Sequence, residues 1–309
     1  MYKRQGYTLR IASLAPAGSS WMKVLNAWNK TLIEKTDGKL KMRFYPGGSQ
    51  GDERDFVRKM RVGQLDGGVV TMTGMSMLGP AMNVLTLPGF LNTYEELDRV
   101  LDKMAGEFES MFGKENMRLV GWGDAGKTRL FSVEPIQSPK EIKAMRPWVW
   151  KDDPIFVDFY QVIGASAVRL GVPEVYPALQ TRMVDVVASS ALTAVALQWY
   201  TRVKYMTAHN SAIIAGGTVM RLDKYDELPA ELQSVFDSTA ARAHELLNKT
   251  IRKDDEKAYQ VVLKKGIKPI EAGDKQAEWD AAYAQVRKNL TGRMFSKSLA
   301  DSVEAASKP

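Results

Sequence analysis

Strand and helix patterns alternate through the first seventy residues, and that alternation narrows the fold to a few α/β arrangements. Tyr7-Thr-Leu-Arg-Ile-Ala-Ser13 alternates in polarity and reads as a strand. Ser19 or Ser20 then caps a helix in which Trp21, Val24, Leu25, Trp28, Leu32 and Ile33 recur at three- and four-residue spacing. Leu40 to Tyr45 is a second strand, closed by Pro46-Gly47-Gly48. Asp52-Glu53 opens a helix with Phe56, Val57, Met60 and Val62 on one face, and Val69 to Met72 is a third strand. A β-α-β-α-β order predicts a parallel sheet covered by helices, with ligands bound beyond the carboxyl ends of the strands. Ser13 to Ser20 and Thr71 to Leu78 fall at that edge.

The rest of the chain extends the same theme. Thr93 to Phe112 reads as one helix, Arg118 to Gly123 and Lys127 to Val133 as two strands, and Met145 to Trp150 as extended. Pro154 to Ile163 and Val175 to Thr181 read as helices, Met183 to Ala188 as a strand, Leu192 to Tyr200 as a helix and Ile213 to Met220 as a strand. From Pro229 the apolar positions predict a helix of about 30 residues, long enough to span two domains. Lys265 to Ile270 is a short strand, and 276–308 is helical again. Two α/β units, several crossings between them and one long helix describe a protein with a cleft.

Composition removes whole classes of chemistry. The 309 residues include no Cys and two His, His209 and His244. Disulfides, thiolate metal sites and cysteine nucleophiles are excluded, and a zinc hydrolase finds too few ligands. No apolar run is long enough to cross a membrane, and no basic segment followed by an apolar one marks a leader peptide. The formal charge of +7 resides in residues 1–70, which hold 13 Lys+Arg against 6 Asp+Glu. These cations sit on the polar sides of amphipathic segments, so a solvated face outranks a nucleic-acid surface.

No enzyme motif stands up. Gly121-Trp-Gly-Asp-Ala-Gly126 matches G-x-G-x-x-G in letters, yet a strand rather than a helix follows it. Asp52-Glu53 and Asp152-Asp153 are carboxylate pairs at helix starts, where they favour the dipole. His209 reads as a structural hydrogen-bonding residue and His244 as a surface or interface residue of the long helix. Arg146, Trp148 and Trp150 share one face of an extended segment, which makes either a core ridge or an aromatic cleft wall.

Val172-Pro-Glu-Val-Tyr-Pro-Ala-Leu-Gln-Thr-Arg-Met-Val-Asp185 resembles a segment of the solute-binding proteins of tripartite ATP-independent periplasmic (TRAP) transporters. Gly51-Asp-Glu53, Gly63-Gln-Leu-Asp66, Leu87-Pro-Gly-Phe90, Pro135-Ile-Gln-Ser-Pro139, Val203 to Thr207 and Leu228 to Gln233 support it, and the likeness runs over about residues 7–300. It implies a two-domain α/β periplasmic binding protein fold of type II kind, with hinge strands and a long domain-spanning helix. The expected division is 1–125 with 214–250, and 126–213 with 251–309. The implied protein is periplasmic, with its leader removed, and not an enzyme. It carries no cofactor and no metal, binds no nucleic acid and does not insert stably in the membrane. Its partners are a small organic solute, expected to be a small or aromatic organic acid, and the TRAP membrane permease subunits, to which it delivers the solute after hinge closure.

The departures from the family pattern bear on the ligand. The family's carboxylate-binding Arg falls on Trp148 counted from Pro139, or on Val149 counted back from Gly164. A second family Arg falls on Thr128, and a family Asn on Ser189. The expected ligand-binding residues are Trp21, Thr73, Met75 and Asp124 on one wall, and Thr128, Arg129, Trp148, Trp150 and Ser189 on the other. Lys127 and Arg129 point to the opposite side of the strand from Thr128, so only one set faces the ligand; for a carboxylate, Arg129 is favoured. The alternatives are a neutral or aromatic ligand held by ring stacking, and a sensor or scaffold of the same fold.

Overall fold

A computed structural model describes residues 6–309. In chain order the elements are β1 (Tyr7–Ser13), α1 (Ser20–Lys35), β2 (Leu40–Tyr45), α2 (Glu53–Arg61), β3 (Gly67–Thr71), α3 (Met72–Ser76), α4 (Tyr94–Lys103) and α5 (Ala105–Gly113). Then come β4 (Met117–Ser132), β5 (Trp148–Trp150), α6 (Pro154–Val162), β6 (Val168–Leu170), α7 (Val172–Gln180), β7 (Val186–Ser189), α8 (Ala191–Ala196) and β8 (Tyr205–Thr207). The chain ends with β9 (Ala212–Arg221), α9 (Leu222–Asp226), α10 (Ala230–Lys264), β10 (Lys268–Ile270), α11 (Gln276–Leu290) and α12 (Lys297–Ser307).

Two compact units form. The first gathers residues up to Gly79, Gly106–Asp124 and Gly216–Lys253; the second gathers Pro80–Ala105, Ala125–Ala215 and Asp254–Pro309. The chain passes from one to the other inside β4, β9 and α10, so two hinge strands and one long helix link the units. Residues 80–105 group with the second unit, where the expected division had them in the first. Their helix α4 packs on α12, and Arg99 Nε donates to Ser307 O at 2.7 Å.

In the first unit β1 pairs in parallel with β2 and β3, and β3 pairs antiparallel with β9. The sheet is therefore mixed, not purely parallel. Ser19 caps α1 by accepting from Met22 N, and Asp52 caps α2 in a capping box with Asp55. The predicted stripe of α1 is buried at Trp21, Val24, Leu25, Trp28 and Leu32. It meets Leu9, Ile11, Leu40, Met42, Met220 and Phe236 in one core. Each fully buried side chain of this size contributes about 1.5–3 kcal/mol. The Trp28 indole N–H donates to Thr239 Oγ1 at 3.0 Å, so its one polar atom is satisfied.

Three expectations change here. Thr93 to Phe112 is two helices, broken at Met104 where the chain leaves the second unit for the first. The two strands at 118–133 are one, β4. His244 is not a surface residue: it is buried, with Nδ1 against Ala240 O and Nε2 against Thr218 Oγ1, both at 2.8 Å. A Cβ on Gly121 would lie 2.5 Å from His244 Cγ, so the glycine is needed for close packing, not for a nucleotide.

Glu53 does not cap its own helix and is fully buried. Its carboxylate accepts from Thr71 N, Thr71 Oγ1 and Gly74 N at 2.8, 3.0 and 2.7 Å, tying α2 to the β3–α3 turn. Burial pushes its pKa up to about 8, against three donors that favour the charged form. Because the folded value lies above the unfolded one, the stability this group contributes is complete below about pH 4.5. It is lost as pH rises through about 8. Urea unfolding across pH 5 to 9 is expected to show this decline, and Glu53→Gln to flatten it. An unchanged slope in the variant would refute the assignment.

In the second unit β4 lies between β7 and β8, antiparallel to both, and β10 extends the sheet in parallel with β8. β5 pairs in parallel with β6, and Pro147 bridges Val186 in parallel, which sets β5 beside β7. Asp153 caps α6 by accepting from Ile155 N and Phe156 N, as its place before Pro154 predicts. α6 packs on α11, where Trp279 is fully buried against Phe159 with ring centroids 6.2 Å apart.

Candidate functional site

The candidate site of the second unit lies at one edge of its sheet, where β5 and β7 end and β4 enters. α6 and α8 start just beyond β5 and β7, so this is the carboxyl edge at which α/β sheets take ligands. Arg129 pairs with Ser189 across β4 and β7, and paired residues project to one face. Counting three residues on from the Pro147–Val186 bridge, Trp150 stands level with Ser189. Arg129 and Ser189 are thus paired, and Trp150 lies at the end of β5, which touches β7 through the isolated Pro147–Val186 bridge and pairs with β6 beyond it. Thr128 alternates to the other face; it is buried, and its carbonyl accepts from Ser211 N at 2.9 Å.

Arg129 is half-buried, with its guanidinium carbon 4.7 Å from the centre of the Tyr259 ring of α10. It makes no ion pair among the described residues, and its buried Nε has no hydrogen-bond partner. Asp255 feels the charge of Arg129, yet its two oxygens accept from Lys127 N and Leu192 N at 3.0 and 2.9 Å. Burial pushes Asp255 up and His209 down, and Arg129 lowers His209 further. Both effects favour the uncharged imidazole, and Arg129 has no ion-pair partner among the described residues.

Gly126 supports this corner. It adopts φ 102°, and a Cβ there would come within 2.5 Å of Asp255 Cγ and 2.7 Å of Ser190 Cβ. Ser190 is wholly buried and caps α8, while Ser189 Oγ donates to Ser190 O at 3.0 Å.

The two tryptophans differ. Trp148 is buried; its indole donates to Leu170 O at 3.0 Å, and Trp199 packs edge-on at 5.3 Å. It belongs to the core side of the two readings of this segment. Trp150 is half-buried, with its ring 6.2 Å from that of Trp148 and inclined by 32°.

In the first unit Trp21 is buried and its indole donates to Asp124 O at 3.2 Å. The Asp124 carboxylate pairs with Arg252 Nε at 2.8 Å. Thr73 lies in α3, following Thr71, whose hydroxyl accepts from Thr73 N. Met75 is fully buried, and a Cβ on Gly217 would meet its Cε at 2.7 Å. Trp21 and Asp124 are thus brought together, whereas Met75 fills the core of its unit.

Sequence reasoning missed Tyr259, Asp255 and Arg252. All three lie on the long helix, where their letters fit a solvated face and nothing local marks a partner in β4.

Comparison with known proteins matches this fold. Relatives include the 2,3-diketo-L-gulonate-binding periplasmic protein of Escherichia coli, 24% identical over 84% of this chain and 80% of that protein. A TRAP periplasmic solute binding protein from Desulfovibrio salexigens, with bound orotic acid, superposes with a TM-score of 0.89 at 20% identity, over 97% of this chain and 98% of that one. One from Shewanella oneidensis, with bound succinate, gives 0.91 at 15% identity, over 98% and 100%. The model of the bacterial extracellular solute-binding proteins, family 7, matches residues 11–294, and the chain belongs to that family.

Proposed function

We propose that this protein captures a small organic acid and holds its carboxylate on Arg129. Family membership makes it a periplasmic TRAP receptor rather than an enzyme, handing its solute to the permease subunits in the membrane after hinge closure. None of the helices among the described residues is long and apolar enough to cross a membrane.

The observation that carries the reading is the unpaired guanidinium of Arg129, stacked on Tyr259 and in register with Ser189. A planar fork of donors matches the two oxygens of a carboxylate. The positions at which the family pattern has Arg fall on Thr128 and on Trp148 or Val149, all buried here. Arg129 supplies the charge those positions lack. Structures of similar fold are described with orotate, succinate and L-gulonate, and acids of these kinds are the solutes to try.

A ligand that binds only the folded protein raises its melting midpoint. A thermal-shift screen of monocarboxylates, dicarboxylates and sugar acids is expected to yield acids that do so, and their primary amides are expected not to. Stabilisation by acid and amide alike would overturn the reading.

A further inference from the structure

We propose that Arg129, Ser189 and Trp150 together select a flat aromatic monocarboxylate, with the carboxylate on Arg129 and the ring against Trp150. This rests on Arg129 as the carboxylate anchor and adds the class of acid.

Trp150 stands out among the aromatic side chains of this corner. Trp148 and Trp199 are buried at 5% and 2% exposure, so neither ring is open to a solute. Trp150 is half-buried and projects from the same face of β5 as Trp148. Its backing is rigid: Trp148 is fixed by Leu170 O on its indole nitrogen and by Trp199 on its ring. A ring held this way loses little conformational freedom when a second ring stacks on it.

The spacing fits a one-ring acid. Arg129 and Trp150 lie on either side of β7, which pairs with β4 and touches β5 at the Pro147–Val186 bridge. Between them stands the small Ser189, itself buried at 1% exposure, with its hydroxyl turned to Ser190 O. A cation thus lies on one side of Ser189 and an aromatic face on the other. Charge at this edge also favours a single carboxylate. Lys151, next to Trp150, is paired with Glu174 at 2.8 Å, and burial pushes the His209 pKa down. Lys151 is therefore already occupied and does not offer its charge to a second carboxylate at the Trp150 end.

Calorimetric titration of the full chain with benzoate, phenylacetate and cyclohexanecarboxylate tests this. The saturated acid matches the others in charge and approximate size but has no π face. The aromatic acids are expected to bind, and the cyclohexane acid to bind about 3- to 10-fold more weakly. Trp150→Leu is expected to bring the acids within about twofold of one another, and Trp150→Phe to retain the preference. Melting curves of both variants confirm that they fold.

Three results would overturn the proposal: no binding by either aromatic acid, equal binding by the saturated acid, or a preference that survives Trp150→Leu. The anchor fails separately. If the aromatic preference follows Trp150 while Arg129→Met leaves affinity unchanged, the carboxylate assignment falls and the ring assignment stands. If Arg129→Met abolishes binding of a non-aromatic acid and no aromatic acid binds, the reverse holds.

Discussion

Arg129→Met is expected to weaken binding of an organic acid by about 30-fold to more than 1,000-fold, since removing one partner of a buried charge pair costs about 2–5 kcal/mol. Methionine keeps an unbranched stem of similar reach but gives up the guanidinium's contact with the Tyr259 ring, so a melting curve of the variant accompanies the titration. The loss then reports on the guanidinium. The bound acid would be left with a carboxylate removed from water and facing no cation, and that is where the energy goes. Arg129→Lys is expected to fall between the two. It keeps the charge but replaces the planar fork with a point donor. Calorimetry with an acid found by thermal shift reads both variants. A Met variant that binds within about threefold of wild type, a change worth well under 1 kcal/mol, would remove Arg129 from the site.

Arg252→Met is expected to destabilise the protein by about 3–5 kcal/mol, through the same physics acting on the fold. The Asp124 carboxylate is 2% exposed and Arg252 is 22% exposed, with 2.8 Å between them. Losing the cation leaves a buried anion without its charge partner. The position of the pair adds a consequence. Asp124 is the last residue of β4 in the first unit, and Arg252 lies one residue before α10 leaves that unit. The pair therefore ties β4 to α10 at the points where both are about to leave the first unit. Urea unfolding measures the cost. The double variant Asp124→Leu with Arg252→Met is expected to recover part of it, because no charge remains buried. A single variant as stable as wild type would show that the pair is solvated.

Local structure was largely legible in the sequence. The spacing of Trp21, Val24, Leu25, Trp28 and Leu32 predicts the buried face of α1. Asp52 and Asp153 cap the helices that their position announces. What failed was pairing between distant segments. The glycines at 121 and 126 mimic a nucleotide loop in letters, and only the approach of His244 and Asp255 explains them. His244 reads as polar, yet Ala240 O and Thr218 Oγ1 satisfy both its nitrogens in the interior. The break at Met104 follows from the path of the chain between units, which no propensity encodes.

The site was legible as a neighbourhood and not as an arrangement. Alternation along β4 separates Arg129 from Thr128 but does not say which side a ligand occupies. The register with Ser189 and the Tyr259 ring beneath the guanidinium are what the proposal of Arg129's side rests on. Trp148 and Trp150 read alike in sequence, two residues apart on one face. Their difference comes from Leu170 and Trp199, which bury one and leave the other half-open.

The most direct measurement is a pair of calorimetric titrations of the wild-type protein, one with an acid that raises its melting midpoint and one with the primary amide of that acid. The two differ by one charge and one acceptor oxygen and share everything else. A carboxylate held by Arg129 predicts that the amide binds at least about 30-fold more weakly, and that Arg129→Met erases most of this difference. Equal affinity for acid and amide would contradict it.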